Sequence, residues 1–224
     1  MSRLALPLLC AALVAPLLPA SDFSSYRGMH FGMSLASVEK QSGLNQTEAI
    51  TTHQRPALIQ EINWSPRPSV LVDTAKADPV RDAMLCFYNG QLFRIVITYD
   101  RYKVEGMTPD DMIEGISATY GPATRPTADI AYHSIYGETA KVLARWEDPQ
   151  YSYNLVRTGD RSSFAMVLYS KTMDASAQTA ITESVRLDAQ EAPQREIDKQ
   201  KKRDQDDHLS LEKLRSANKL NFRP

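Results

Sequence analysis

The residues that could carry chemistry in this chain are its four histidines, its two cysteines and the paired carboxylates at Asp110-Asp111. No nucleophile elbow, phosphate loop or dinucleotide fingerprint occurs in it. His30, His53, His133 and His208 stand far apart, and none has a neighbour at a spacing that suggests a metal site. Cys86 lies between Leu85 and Phe87 in an apolar run, where a cysteine behaves as a small buried hydrophobe. Asp110-Asp111 could in principle share acid and base roles, but the pair directly follows Thr108-Pro109. Carboxylates at a helix start are explained by the positive end of the helix dipole. No catalytic, cofactor-binding or metal-binding residue is therefore assigned, no cofactor is expected, and the chain reads as a non-enzyme.

The aromatic residues point to a different activity. Trp64 and Trp146 each end an expected strand, Tyr99 and Tyr102 flank Asp100-Arg101, and Tyr151 follows Trp146 closely. Trp, Tyr and Arg give large contact area with few rotors to freeze, which suits a protein-binding face. Trp64, Tyr99, Arg101, Tyr102, Trp146 and Tyr151 are the candidate protein-binding residues. The competing reading is that alternate members face the core of an antiparallel sheet.

The elements that must position these residues are organised around one hairpin. Two apolar runs, Ala83–Tyr88 and Gln91–Tyr99, are separated only by Asn89-Gly90, a pair that accepts the positive φ angles of a two-residue type I′ turn. Before it, Ser34 caps a short helix from Leu35 to about Ser42 that Gly43 ends. A polar loop is expected over Gln46–Pro56, then strands over Ala57–Trp64 and Ser69–Thr74. After the hairpin, Thr108 caps a helix with Met112, Ile113, Ile116 and Tyr120 on one face, which Gly121-Pro122 ends. The run to Tyr132 reads as loop. A meander follows over Thr139–Trp146, Tyr151–Arg157 and Phe164–Ser170.

Gly32-Met33-Ser34 with Gly43 and Gly106-Met107-Thr108 with Gly121 repeat one order: glycine, methionine, hydroxyl cap, helix, glycine. At these repeated starts the chain resembles the small bacterial envelope proteins of the SmpA/OmlA type and the tandem units of β-lactamase inhibitor proteins. The resemblance implies an α+β fold of two tandem helix-plus-antiparallel-sheet units in one domain, and protein binding in the envelope. The chain lacks the lipid-bearing cysteine of the first group and the disulfides of the second.

Residues 1–20 read as a secretory signal, with Arg3 as the positive region, Leu4–Leu18 as the apolar region and Ala20 at the cut. The apolar run falls short of the ~20 residues of a spanning helix and contains Pro7 and Pro16. Leu9 before Cys10 departs from a lipobox. Removal of the leader leaves Cys86 alone, so no intrachain disulfide can form. With 26 Lys and Arg against 27 Asp and Glu, the balance argues against nucleic acid as partner. The tandem domain is expected over residues 21–171 and a helix over 172–192, capped by Asp174 and interrupted by Pro193. A charged tail over 193–224 reads as a solvated helix or disordered, able to contact a partner or an anionic surface. The expected function is that of a periplasmic or secreted protein-binding or assembly module whose partner is another envelope protein. The alternatives are a small-ligand carrier, or an enzyme whose site is assembled from distant residues.

Overall fold

The computed structural model describes residues 21–44, 49–66, 78–133, 138–158, 163–221 and 223. The leader, the strand expected over Ser69–Thr74, the turn at Gly159-Asp160 and Phe222 lie outside the described residues. The chain is α+β. Strands β1 (Ser25–Tyr26) and β2 (Met29–His30) form a small sheet, and α1 (Leu35–Ser42) follows. Next come β3 (Ile50–His53), β4 (Ile59–Trp64), β5 (Val80–Tyr88) and β6 (Gln91–Tyr99), then α2 (Pro109–Tyr120). The chain continues through β7 (Asp129–His133), β8 (Glu138–Glu147), β9 (Tyr151–Thr158) and β10 (Ser163–Ser170), and ends in α3 (Lys171–Asn221). The large sheet has the order β3-β4-β5-β6-β10-β9-β8-β7, and its paired strands are antiparallel.

The β5–β6 hairpin turns at Asn89 (φ 49°) and Gly90 (φ 78°), the positive pair that a type I′ turn requires. The turn also anchors its surroundings. Asn89 exchanges backbone and side-chain hydrogen bonds with Leu58, and the Gly90 carbonyl accepts from the Leu35 amide at the start of α1. One face of the sheet carries the main core, where Ile62, Leu85, Ile95, Leu155 and Met166 meet Val38 of α1 and Met112 of α2. Both short helices therefore cover the same face. At the start of α2, Thr108 Oγ1 accepts from the Asp111 amide while the Asp111 carboxylate accepts from the Thr108 amide, a complete capping box. Thr108→Ala is expected to lose about 1 kcal/mol in chemical denaturation, the ordinary cost of an N-cap. A loss below a few tenths would mean that tertiary packing alone fixes this end.

Three expectations are corrected. Within the expected loop Gln46–Pro56, Ile50–His53 forms β3, which among the described residues is an edge strand paired on one side and so needs no apolar alternation. The expected loop before Tyr132 contains the start of β7, again an edge strand. Neither Asp174 nor Pro193 bounds the last helix. It begins at Lys171, directly after β10, and runs through Pro193 to Asn221. Proline removes one helical N–H and crowds the carbonyl four residues earlier, but on an exposed helix water satisfies what is lost. One turn away, Arg195 donates from Nη2 to the neighbouring Asp188 carbonyl at 2.7 Å.

The second face of the sheet is covered from two sides. Ile130 and Ala140 of the β7–β8 hairpin pack on Val96, Val156 and Val167, while Met173, Ala177 and Ile181 of α3 pack with Ile59, Cys86 and Phe93. In a flat sheet β7 would lie four strands from β6, ~19 Å away. Yet Arg94 of β6 donates from Nη1 to the Ala131 carbonyl at 2.6 Å. The outer end of the sheet therefore curls back over this face.

Candidate interaction arm and its anchor

Small side chains let α3 sit close to the sheet. Ala177, Ala180 and Ser184 are buried at helical spacing, with Met173 and Ile181 beside them. Three polar links fix this segment. The buried Arg94 guanidinium donates to Asp174 Oδ1 from Nε at 2.8 Å and from Nη2 at 2.6 Å, while it also holds β7 through Ala131. His53 Nδ1 lies 2.9 Å from Ser184 Oγ, and Arg55 forms a two-pronged pair with Glu191. Burial raises the Asp174 pKa against the pull of Arg94, whereas at the exposed outer link Arg55 lowers that of Glu191.

Past Glu191 the helix leaves the domain. Every described side chain over residues 192–221 is exposed, along ~45 Å of helix. Intrahelical contacts support it: Gln194 donates to Asp198, Gln200 to Asp204, and Arg203 pairs with Glu196. Ile197, Leu209, Leu211, Leu214 and Leu220 stand in solvent, the last 87% exposed.

The six candidate binding residues do not form one surface. Trp146 is 2% exposed, and its indole donates to the Gly121 carbonyl at 2.9 Å, clamping the end of α2 to the sheet. Tyr99 packs against the main core with its hydroxyl 3.0 Å from Met166 Sδ. Tyr151 is partly buried and stacks on Phe31 with centroids 5.5 Å apart. Trp64 is half-buried and carries the Arg27 guanidinium over its ring at 5.7 Å. Arg101 and Tyr102 are exposed, Tyr102 at 80%. Period-two alternation explains the buried members: strand ends supply core residues as readily as rim residues.

The residues considered for chemistry are equally dispersed. His30 is exposed, His208 projects from the arm, and His53 binds α3. Asp110 pairs with Arg125 at 2.6 Å and Asp111 completes the capping box. Cys86 is buried, and burial pushes its thiol pKa up, so the nucleophilic thiolate is disfavoured. Among the described residues no group of three or more His, Cys, Asp or Glu is gathered as a metal site. Among them too, no helix is long and apolar enough to cross a membrane.

Sequence reasoning passed over the polar set beneath α3. Glu61, Cys86 and Arg94 occupy adjacent cross-strand positions on β4, β5 and β6, with Asp174 facing Arg94 from α3. Its signal was a single charge inside an apolar strand, Arg94 in Gln91–Tyr99 and Glu61 in Ile59–Trp64. No protein-family model, curated protein or solved structure matches this chain.

Proposed function

We propose that the chain is an exported envelope protein that binds another envelope protein through α3 and has no catalytic activity. Its globular part is read as two tandem units. The orders α1-β3-β4-β5-β6 and α2-β7-β8-β9-β10 support this, because each is one helix followed by four strands and the two last strands pair. The Arg3 and Leu4–Leu18 pattern supports export.

The observation that carries the binding reading is the arm itself. Most helical stability in proteins comes from tertiary packing, and here the helix grows from a docked, salt-bridged start yet exposes five large aliphatic side chains beyond it. A helix with unpartnered apolar positions is suited to lie in a partner's groove. The apolar positions are too irregular for a heptad seam, which favours a different protein over a coiled-coil self-association.

Cross-linking in the native envelope followed by pull-down tests the reading, with full-length chain compared to a chain ended after Ala192. The shorter chain is expected to keep its melting temperature to within about 2–4 °C, or ~1 kcal/mol. It should lose the cross-linked partner. Equal capture by both chains would move the binding surface to the sheet domain and overturn the role given to the arm.

A further inference from the structure

On the opposite face from α3, the loop after β6 and the ends of β9 and β10 enclose a depression of about 270 Å³. It is lined by Arg101, Val104, Glu105, Gly106, Met107, Arg157 and Phe164. Arg157 lies over the Phe164 ring with its guanidinium carbon 5.0 Å from the centroid. That ring is buried in the main core and so fixes the guanidinium from below. Arg157 Nε is shielded from solvent and, among the described residues, has no hydrogen-bond partner, an arrangement that native proteins rarely leave unexplained. Among the described residues neither Arg157 nor Arg101 has a carboxylate partner, in contrast to Arg27, Arg55, Arg94, Arg125 and Arg186.

We infer that this depression binds a small organic monoanion, a carboxylate on a short apolar body. Guanidinium groups present paired donors that match the two oxygens of a carboxylate. Among the described lining residues two arginines stand against one carboxylate, that of Glu105, which leaves one positive charge that one monoanion neutralises and a phosphate dianion exceeds. Val104, Met107 and Phe164 supply the apolar wall for the body of the ligand. This site is on different elements from the arm and stands or falls independently of it. Sequence reading marked Arg101 as an interface residue, but its partner in the site, Arg157, lies on another strand and carried no local signal.

NMR titration of the full mature chain with hexanoate, hexanamide and inorganic phosphate tests the assignment, with the Arg Nε–H resonances as readout. Hexanoate is expected to saturate in the millimolar range and to move the Arg157 resonance, while hexanamide leaves it in place. Arg157→Gln and Arg101→Gln should each weaken hexanoate at least tenfold. Arg101 is exposed, so its variant remains informative if the Arg157 change prevents folding. Hexanamide binding as well as hexanoate, phosphate binding more tightly than hexanoate, or an unchanged affinity in Arg101→Gln would each overturn the proposal.

Discussion

Asp174→Ala is expected to destabilise the fold by about 3–5 kcal/mol, among the largest effects available to a single polar change in this chain. The pair it breaks is enclosed: Arg94 is buried in β6, and Asp174 is buried in the first turn of α3. Removing the carboxylate leaves a guanidinium whose close partners among the described residues are the Ala131 carbonyl and the Tyr169 ring, at 5.6 Å. The cost is the desolvation of an uncompensated charge, which exceeds the net strength of the ion pair itself. Urea unfolding measures the total, and amide exchange along α3 locates it. Protection of residues 175–191 should fall first, because Asp174 is the innermost of the three links. The double change Arg94→Met with Asp174→Leu removes both charges and should recover most of the loss. A single-variant cost below ~1 kcal/mol would show that Arg94 finds another carboxylate, for which Glu61 is the candidate.

The distinction between what was readable and what was not follows range. Asn89-Gly90, the Ser34 and Thr108 caps, and the glycines after both short helices act within four residues, so α1, α2, the hairpin turn and β6 were legible to the residue, whereas β5 begins at Val80, three residues before the expected Ala83. Strands β3 and β7 were not, because an edge strand needs only one neighbour and that neighbour is remote information. Pro193 misled for a related reason. Its local rule concerns a helix that must keep every hydrogen bond, whereas α3 is already nucleated on the sheet and passes the proline in solvent. The candidate face of Trp64, Tyr99, Trp146 and Tyr151 was drawn from residue type alone. Type does not distinguish a ring that meets a partner from one that meets Phe31 or the end of α2. The curl that brings Ala131 to Arg94 had no local trace at all, since it depends on how far an eight-stranded sheet twists.

Glu61→Gln should change how stability depends on pH and leave the fold intact. Glu61 is 5% exposed in β4, beside Cys86 of β5, with Arg94 beyond it on β6 and Asp174 facing Arg94 from α3. Among the described residues its Oε1 has no hydrogen-bond partner. Burial pushes its pKa from 4.5 up to about 7, and the attraction of Arg94 offsets only part of this. The folded chain therefore holds a proton that the unfolded chain releases near 4.5. Between these values the folded state binds more protons, so raising the pH favours unfolding. The favourable contribution of protonated Glu61 is complete below pH 4.5 and is lost as pH rises through about 7. A shift of this size corresponds to a ceiling of about 3 kcal/mol. Glutamine keeps the shape and the neutral state at every pH, so the unfolding free energy of Glu61→Gln should rise relative to the unaltered chain by about 2–3 kcal/mol between pH 4 and pH 8. The other titrating groups are common to both chains and cancel in that difference. Parallel stability curves over this range would show that Glu61 ionises in the folded state as readily as in water. Arg94 would then be shared between two carboxylates, and the cost expected for Asp174→Ala would shrink with it.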